Sequence, residues 1–494
     1  MALDERQINA IVEAVVRRVQ AGAGAAPQAP APDRSPPRAA GYVSTYRVRK
    51  ASQVQVAGRR GVFEDLGAAV EAARIAHEAL LEQTLETRAK VIQAMREATA
   101  RQVEELARDA VEETGLGNAP DKVKKNLLVA WKTPGLEILH PVGFSGDHGL
   151  TLTERAPFGV IGAITPTTNP TETILCNAIG MIAGGNSVVF NVHPSAKKVS
   201  RKHVQLLNDA ITSAGGPENL VACVAEPTVE SAQALMRHEG IRLVVVTGGP
   251  AVVKAAMTCG KRAICAGPGN PPVVVDDTAH LDRAGRDIVA GASLDHNIVC
   301  IVEKEIFAVD AIADRLKEAM VANGAFEVQG SAIERLAKLV VAEDGQHPRK
   351  DWVGQSALKT ARAAGVAAPE GTRLLFAEVD SVHPFVQVEL LLPVVGFVRT
   401  RGVEEAIEAA LQAEHGFGHT AVMHSTNVDH LSRMARALNT SIFVKNGPSY
   451  AGLGLEGEGY TSFTIASPTG EGLTTAVSFT RERRCTLKDS FRIV

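Results

Sequence analysis

Residues 157–191 read PFGVIGAITPTTNPTETILCNAIGMIAGGNSVVFN, and the rhythm of this stretch decides the fold. The run 160–164 is short, apolar and strand-like, and it stops at Thr165-Pro166. Residues 171–183 have helix length, Gly184-Gly185 breaks them, and 187–191 is a second strand-like run. Strand, helix and strand joined by short breaks make a βαβ unit, which requires parallel strands. Working outward, the alternation continues through 196–213, 220–224, 229–238, 243–246 and 250–258, punctuated by glycines at 215–216 and 248–249. A second α/β pattern runs from 272 to about 440. Parallel sheets with helices on their faces bind ligands at the carboxyl ends of their strands. Upstream, 63–114 is helical and Ala/Glu-rich, closing at Gly115 and Gly117, and the C-terminal tail holds a β-like run, Thr474 to Thr480.

The head of the chain is different in kind. Residues 4–19 place Ile8, Ile11, Val12, Val15, Val16 and Val19 at helical spacing, with Asp4 suited to cap the start. Residues 20–41 are almost all Ala, Gly, Pro and Gln and read as an extended linker. An isolated helix this short is marginal in water, so its apolar stripe needs a partner. That partner is either the body of the same chain or another protein, and the long linker favours the second.

Bulk properties exclude several function classes. The 494 residues are 45% hydrophobic, too many for one ordinary core and suited to two or three lobes. A formal net charge of -3 and the lack of any basic block exclude a nucleic-acid surface. The longest apolar stretch, 386–398, is interrupted by Gln387, Glu389 and Pro393, so no membrane span is expected. Asp4 and Glu5 replace the basic start of a secretory signal, and six scattered cysteines without a CxxC fit free thiols in a reducing cytoplasm. His415 and His419 form one HxxxH, but Gly416 stands where a zinc protease has glutamate, and no metal is expected.

Candidate chemistry comes from four segments. Cys300 closes Ser293-Leu-Asp-His-Asn-Ile-Val-Cys300. A lone cysteine is ordinarily a small buried hydrophobe, so a nucleophile needs further groups around it. Thr165-Pro166-Thr-Thr-Asn169-Pro170 places Asn169 at the carboxyl end of a strand. Its amide can donate there to a developing oxyanion or cap the next helix. Val244-Val-Val-Thr247-Gly248-Gly249-Pro250 runs from strand through glycines into helix, which suits a pyrophosphate and equally an ordinary turn. Glu389, ahead of Leu-Leu-Leu-Pro393, can hold a ribose diol or be a solvated loop acid. A literal GxGxxG at Gly452, Gly454 and Gly457 lies in a loop without flanking strand and helix and is not a dinucleotide site.

Together these segments resemble the aldehyde dehydrogenase superfamily over roughly 42–485. Asn169 resembles that family's oxyanion-hole asparagine, with Thr168 in place of its tryptophan. Gly185-Asn-Ser-Val-Val-Phe-Asn191 through Pro194 is similar to the adenosine-contacting segment, and Thr247-Gly248 to the start of the pyrophosphate turn, with Val253 where a later glycine is usual. Glu389 resembles the nicotinamide-ribose glutamate, and Cys300 the nucleophile. The resemblance implies NAD held by Thr165, Pro166, Asn191, His193, Pro194, Thr247, Gly248, Gly249, Gly267 and Glu389, with Cys300 and Asn169 catalytic. It implies a Rossmann-type cofactor domain at 42–270, with part of an oligomerisation element near 146–156. A catalytic α/β domain at 271–455 and a C-terminal segment with an oligomerisation strand at 456–494 follow, the whole forming a dimer or tetramer.

One departure is the most informative feature. Hydrolytic members carry a glutamate ahead of the cysteine that activates the deacylating water. Here the matching segment is Cys265-Ala-Gly-Pro-Gly-Asn-Pro271, with Cys265 at the glutamate position. Without that base water attack is slow, whereas a thiol such as coenzyme A needs less help. Gly267-Pro-Gly-Asn-Pro-Pro272 and His415-Gly-Phe-Gly-His419 also resemble the CoA-acylating branch. Within it, helix 1–19 and linker 20–41 resemble the encapsulation peptides of bacterial microcompartment enzymes acting on propionaldehyde or acetaldehyde. That implies a shell-protein partner for residues 4–19 and a place in the microcompartment lumen. The alternatives are a hydrolytic dehydrogenase releasing free acid, a reductase of phosphorylated acids, and a degenerate scaffold or cargo protein. Cys265 is read as inert rather than as an oxidative partner of Cys300.

Overall fold

The computed structural model describes residues 60–494; the helix read at 4–19 and the linker at 20–41 lie outside the described residues. The helical stretch after them divides at its own caps. Leu66–Leu81 starts where the Asp65 side chain accepts from the Ala68 N–H. Leu85–Arg101 starts where Thr84 accepts from the Thr87 N–H. Val103–Thr114 stops at Gly115, whose φ of 71° is left-handed and suits glycine. A further helix, Ala119–Lys132, is capped by Asn118.

Two parallel sheets follow. The first has the order Val62–Phe63, Val221–Val224, Ser187–Asn191, Val160–Ile164, Ile241–Thr247, Ala263–Ala266. Every neighbouring pair in it is parallel. Its strands at 160–164 and 187–191 have the bounds read from the sequence. Helices cover both faces, which is why these strands are apolar without alternation. Pro170–Ala183, between them, is buried at every residue. The second sheet has the order Ala325–Glu327, Leu374–Glu378, Val394–Thr400, Glu305–Val309, Pro272–Val275, Thr420–His424, Ile442–Lys445, again all parallel. Ile161 and Val188 of the first sheet share one buried apolar cluster with Val273 and Ile306 of the second, so the two sheets are fixed to each other.

A three-stranded antiparallel arm joins Thr480–Lys488 to Gly149–Pro157 and that strand to Val142–Gly146. The β-like run expected at Thr474 to Thr480 is therefore displaced. Residues 474–479 turn into the core, with Ala476 and Phe479 buried and Phe479 packed on Gly180. Their apolar character serves that packing. The actual strand, RERRCTLK, is exposed on both faces and so lacks the alternation by which a half-buried strand is recognised.

Candidate active site

The two sheets meet with opposite edges. Asn191, Thr165, Thr247 and Gly267 end or directly follow four adjacent strands of the first sheet. Gly269, Cys300, Glu389 and His419 come shortly before four adjacent strands of the second. The chain passes between the two edges through Gly267-Pro-Gly-Asn-Pro271. Gly269 lies at the crossing: a Cβ there would stand 2.8 Å from His419 Cγ and 3.0 Å from the Cys300 carbonyl oxygen. Its N–H donates to the Glu389 carboxylate. The neighbouring Asn270, fully buried, donates from Nδ2 to the Val386 and Ala413 carbonyls, each at 2.9 Å. One asparagine thus draws the segments leading to Glu389 and His419 toward Cys300.

Cys300 is presented by an unusual backbone. Asp295, His296 and Asn297 all have positive φ (47°, 53° and 64°), which is rare for successive residues other than glycine. Each is held by its own side chain. Asp295 accepts from the Asn118 N–H at 2.7 Å and pairs with Lys122 at 3.0 Å and Lys125 at 2.6 Å. Gly117 makes that approach possible, since a Cβ there would lie 2.0 Å from Asp295 Oδ1. His296 Nδ1 meets the Gly354 carbonyl at 3.0 Å. Asn297 donates to the Ala292 carbonyl at 2.7 Å and receives Lys304 Nζ on Oδ1 at 2.6 Å.

Asn169 occupies the position before Pro170–Ala183, but its side chain makes no capping hydrogen bond. Instead Oδ1 accepts from Lys125 Nζ, and Nδ2 donates to Thr168 Oγ1 at 3.2 Å. Of the two readings open for Asn169, capping is therefore not the one the side chain adopts.

Charges around Cys300 are dense. Cys300 retains some open surface. Even so, burial pushes its thiol up, the Glu389 carboxylate pushes it further, and Lys304, its own N–H and Lys125 oppose them, leaving it at about 12. Burial also raises Glu389 to about 7, against the pull of Lys304. Glu303 rises to about 7 although Ser449 donates to it from both N–H and Oγ at 2.7 Å. Glu305 lies well above the usual carboxylate range, and neither of its oxygens has a hydrogen-bond partner among the described residues. Burial and the nearby Lys304 lower His419 to about 4, so its ring is neutral at neutral pH. Its Nδ1 meets Thr420 Oγ1 at 2.9 Å while Nε2 has no hydrogen-bond partner among the described residues. Among the described residues no group of His, Cys, Asp and Glu could hold a metal ion, and no helix is long and apolar enough to cross a membrane.

The aldehyde dehydrogenase family matches residues 49–455. The chain belongs to that family. An acetylating acetaldehyde dehydrogenase, EutE, of Salmonella typhimurium is 51% identical over 88% of this chain and 94% of its own length. A propionaldehyde dehydrogenase of Rhodopseudomonas palustris, solved with bound propionyl-CoA, is 50% identical with a TM-score of 0.86 over 87% of this chain and 96% of that one. A second structure of it holds CoA and an acylated cysteine. A propionaldehyde dehydrogenase from the Clostridium phytofermentans fucose utilisation bacterial microcompartment is 48% identical, with a TM-score of 0.86 over 88% of this chain and 100% of that one.

Within this aldehyde dehydrogenase the residues read as cofactor-binding fall into one row and one outlier. Thr165 Oγ1 is buried at its strand tip without a partner among the described residues, and Pro166 follows it, half-buried. Asn191 Oδ1 accepts from Ser231 Oγ at 2.5 Å, His193 is half-buried with burial lowering its imidazole, and Pro194 is exposed beside it. Thr247 Oγ1 meets Thr464 Oγ1 at 2.9 Å. Gly248 donates to the Ala266 carbonyl, and Gly249 has open space where a Cβ would stand. Gly267 packs its Cα face on Pro468. The unpartnered Thr165 hydroxyl and the open Gly249 are features a dinucleotide fits. Glu389 is the outlier, on the facing edge beside Cys300. Val253, where a glycine is usual, turns its side chain into the core. Cys265 does the same: it belongs to the apolar cluster behind the first sheet, and burial raises its thiol to about 11.

Sequence reading missed the charged partners. Lys122 and Lys125 lie in DKVKKNLLVAWK, a stretch outside every candidate segment, and both are buried. Their anions, Glu172 and Asp295, lie far off in sequence. The rejected GxGxxG is a braced loop, with Lys132 Nζ donating to the Gly454 and Gly457 carbonyls at 2.6 and 2.7 Å.

Proposed function

We propose that this chain oxidises a short aldehyde, propionaldehyde first and acetaldehyde next, to its acyl-CoA through a thioester on Cys300, with NAD as hydride acceptor. The observation that carries this reading is the position of Cys265. Where a hydrolytic relative offers a base to water, this chain offers a thiol sealed in the core.

Cys300 Sγ gives its proton to solvent and, as the thiolate, adds to the aldehyde carbonyl carbon, and the carbonyl oxygen takes the π electron pair and the negative charge. Asn169 Nδ2 and the Cys300 N–H face that oxyanion. Its collapse expels a hydride and leaves the acyl group on Sγ; the nicotinamide, when bound, supplies the acceptor. The carboxyl-edge row, with Thr165 and Gly248 at its centre, orients the dinucleotide, and Glu389 meets its ribose. The sulfur of CoA then attacks the thioester, the same donors hold the second oxyanion, and Cys300 leaves as acyl-CoA forms. His419, neutral and with a buried Nε2 that has no hydrogen-bond partner among the described residues, takes the CoA thiol proton.

The test is NADH formation from propionaldehyde and NAD with and without CoA. Multiple turnovers that require CoA and yield propionyl-CoA are expected. Turnover without CoA that yields propionate would mean that another carboxylate near Cys300, Glu389 first, activates water.

The division into a cofactor domain at 42–270, a catalytic domain at 271–455 and a C-terminal segment at 456–494 is supported by the sheet boundaries. The arm, with exposed apolar Val142, Phe144 and Leu487, is the surface through which copies pair as a dimer or tetramer. Residues 4–19 dock to a shell protein and bring the enzyme into a microcompartment lumen. The microcompartment origin of one relative supports that placement.

A further inference from the structure

The proposed mechanism needs Asn169 to turn its NH2 group, and not its carbonyl, toward the reacting oxygen. The two orientations of an amide have nearly the same shape, so something must choose between them. We infer that Lys125 is the residue that chooses, a positioning residue that fixes Asn169 by occupying Oδ1. The inference rests on the oxyanion role proposed above for Asn169.

An ammonium only donates. With Nζ seated on Oδ1, a flipped amide would set NH2 against NH3+, leaving two donors facing each other in a site without water access. Lys125 is itself held: Nζ lies 2.6 Å from Asp295 Oδ2 and 3.2 Å from Glu172 Oε1. Both anions are fully buried. Lys122 balances the set, pairing with Asp295 and donating to the Thr168 carbonyl at 3.2 Å, one residue before Asn169. Two cations and two anions match in number, which is the condition for such a cluster to persist in the interior. Asp295 also begins the left-handed stretch that presents Cys300. Lys122 pairs with Asp295 as well, so that stretch keeps a buried cation without Lys125, and what Lys125 alone supplies to the reacting groups is its contact with the Asn169 amide.

The experiment is the rate of the first turnover of NADH formation, at saturating NAD and propionaldehyde, in the full-length enzyme. Asn169→Ala and Lys125→Met are each expected to slow it about 10²-fold, with a smaller change in the KM for aldehyde. The double variant Lys125→Met/Asn169→Ala is expected to be no slower than Asn169→Ala alone, since Lys125 acts through that amide. A wild-type rate in Lys125→Met, or a double variant slowed by the product of the single effects, overturns the proposal. A wild-type rate in Asn169→Ala overturns the oxyanion assignment instead. Should Lys125→Met fail to fold, Lys125→Met/Glu172→Gln removes one cation with one anion, keeps the Lys122–Asp295 pair, and is compared with and without Asn169→Ala under the same criteria.

Discussion

The two sheets use opposite edges for different work. The carboxyl edge of the first carries Thr165, Asn191, Thr247, Gly248 and Gly267, uncharged groups and bare backbone that suit the outline of a dinucleotide. The amino edge of the second gathers Cys300, Glu389, Lys304 and His419, with Glu303, Glu305 and Glu414 behind them. The connection explains the contrast. The segment 267–271 passes straight from the end of one parallel strand into the start of another, so the two sheets must present opposite edges to the same space. A rule that places ligands at carboxyl ends finds half of such a site.

Mutations can break or sharpen this contrast. The largest effect is expected from Cys300→Ala, which should remove CoA-dependent NADH formation altogether; measurable turnover would move the nucleophile away from the amino edge. Asn169→Ala comes next, on the carboxyl side, with a loss of about 10² in the hydride-transfer rate. A subtler test compares Glu389→Gln with Lys304→Met. Glu389 holds the thiol proton on and Lys304 draws it off. Iodoacetamide should therefore label Cys300 faster in the first variant and slower in the second, about tenfold for each pKa unit moved. Equal rates would mean that the amino edge does not set the thiol by charge.

The smallest effect concerns stability. Glu303 is raised in the folded chain from about 4.5 to about 7. Its contribution is thus fully present below its unfolded pKa and is lost as pH rises through about 7. The melting temperature should decline between pH 5 and 8, and Glu303→Gln should flatten part of that decline. An unchanged slope would place the titration elsewhere.

The carboxyl edge was legible because strands of the first sheet run straight into threonine, asparagine and glycine, and a strand-to-helix break is a local signal. The roles proposed for Asn169 and Cys300 rest on a family pattern, since an asparagine before proline and a single cysteine are each ambiguous. The charged framework was not legible. Lys125 looks like surface until Glu172 and Asp295 arrive from distant segments, and nothing local distinguishes Lys304 from a solvated lysine. The arm strand at 480–488 was missed because both of its faces are exposed, while the more apolar run just before it belongs to the core.

The left-handed stretch before Cys300 also bears on the order of events during folding. Asp295 meets Lys122 across 173 residues of chain, and that contact forms only when the helical region and the second sheet have docked. Contacts so distant in sequence are slow to close. On dilution from denaturant, helical circular dichroism should return well before Cys300 acquires its native reactivity, and catalytic activity should report the last step of assembly.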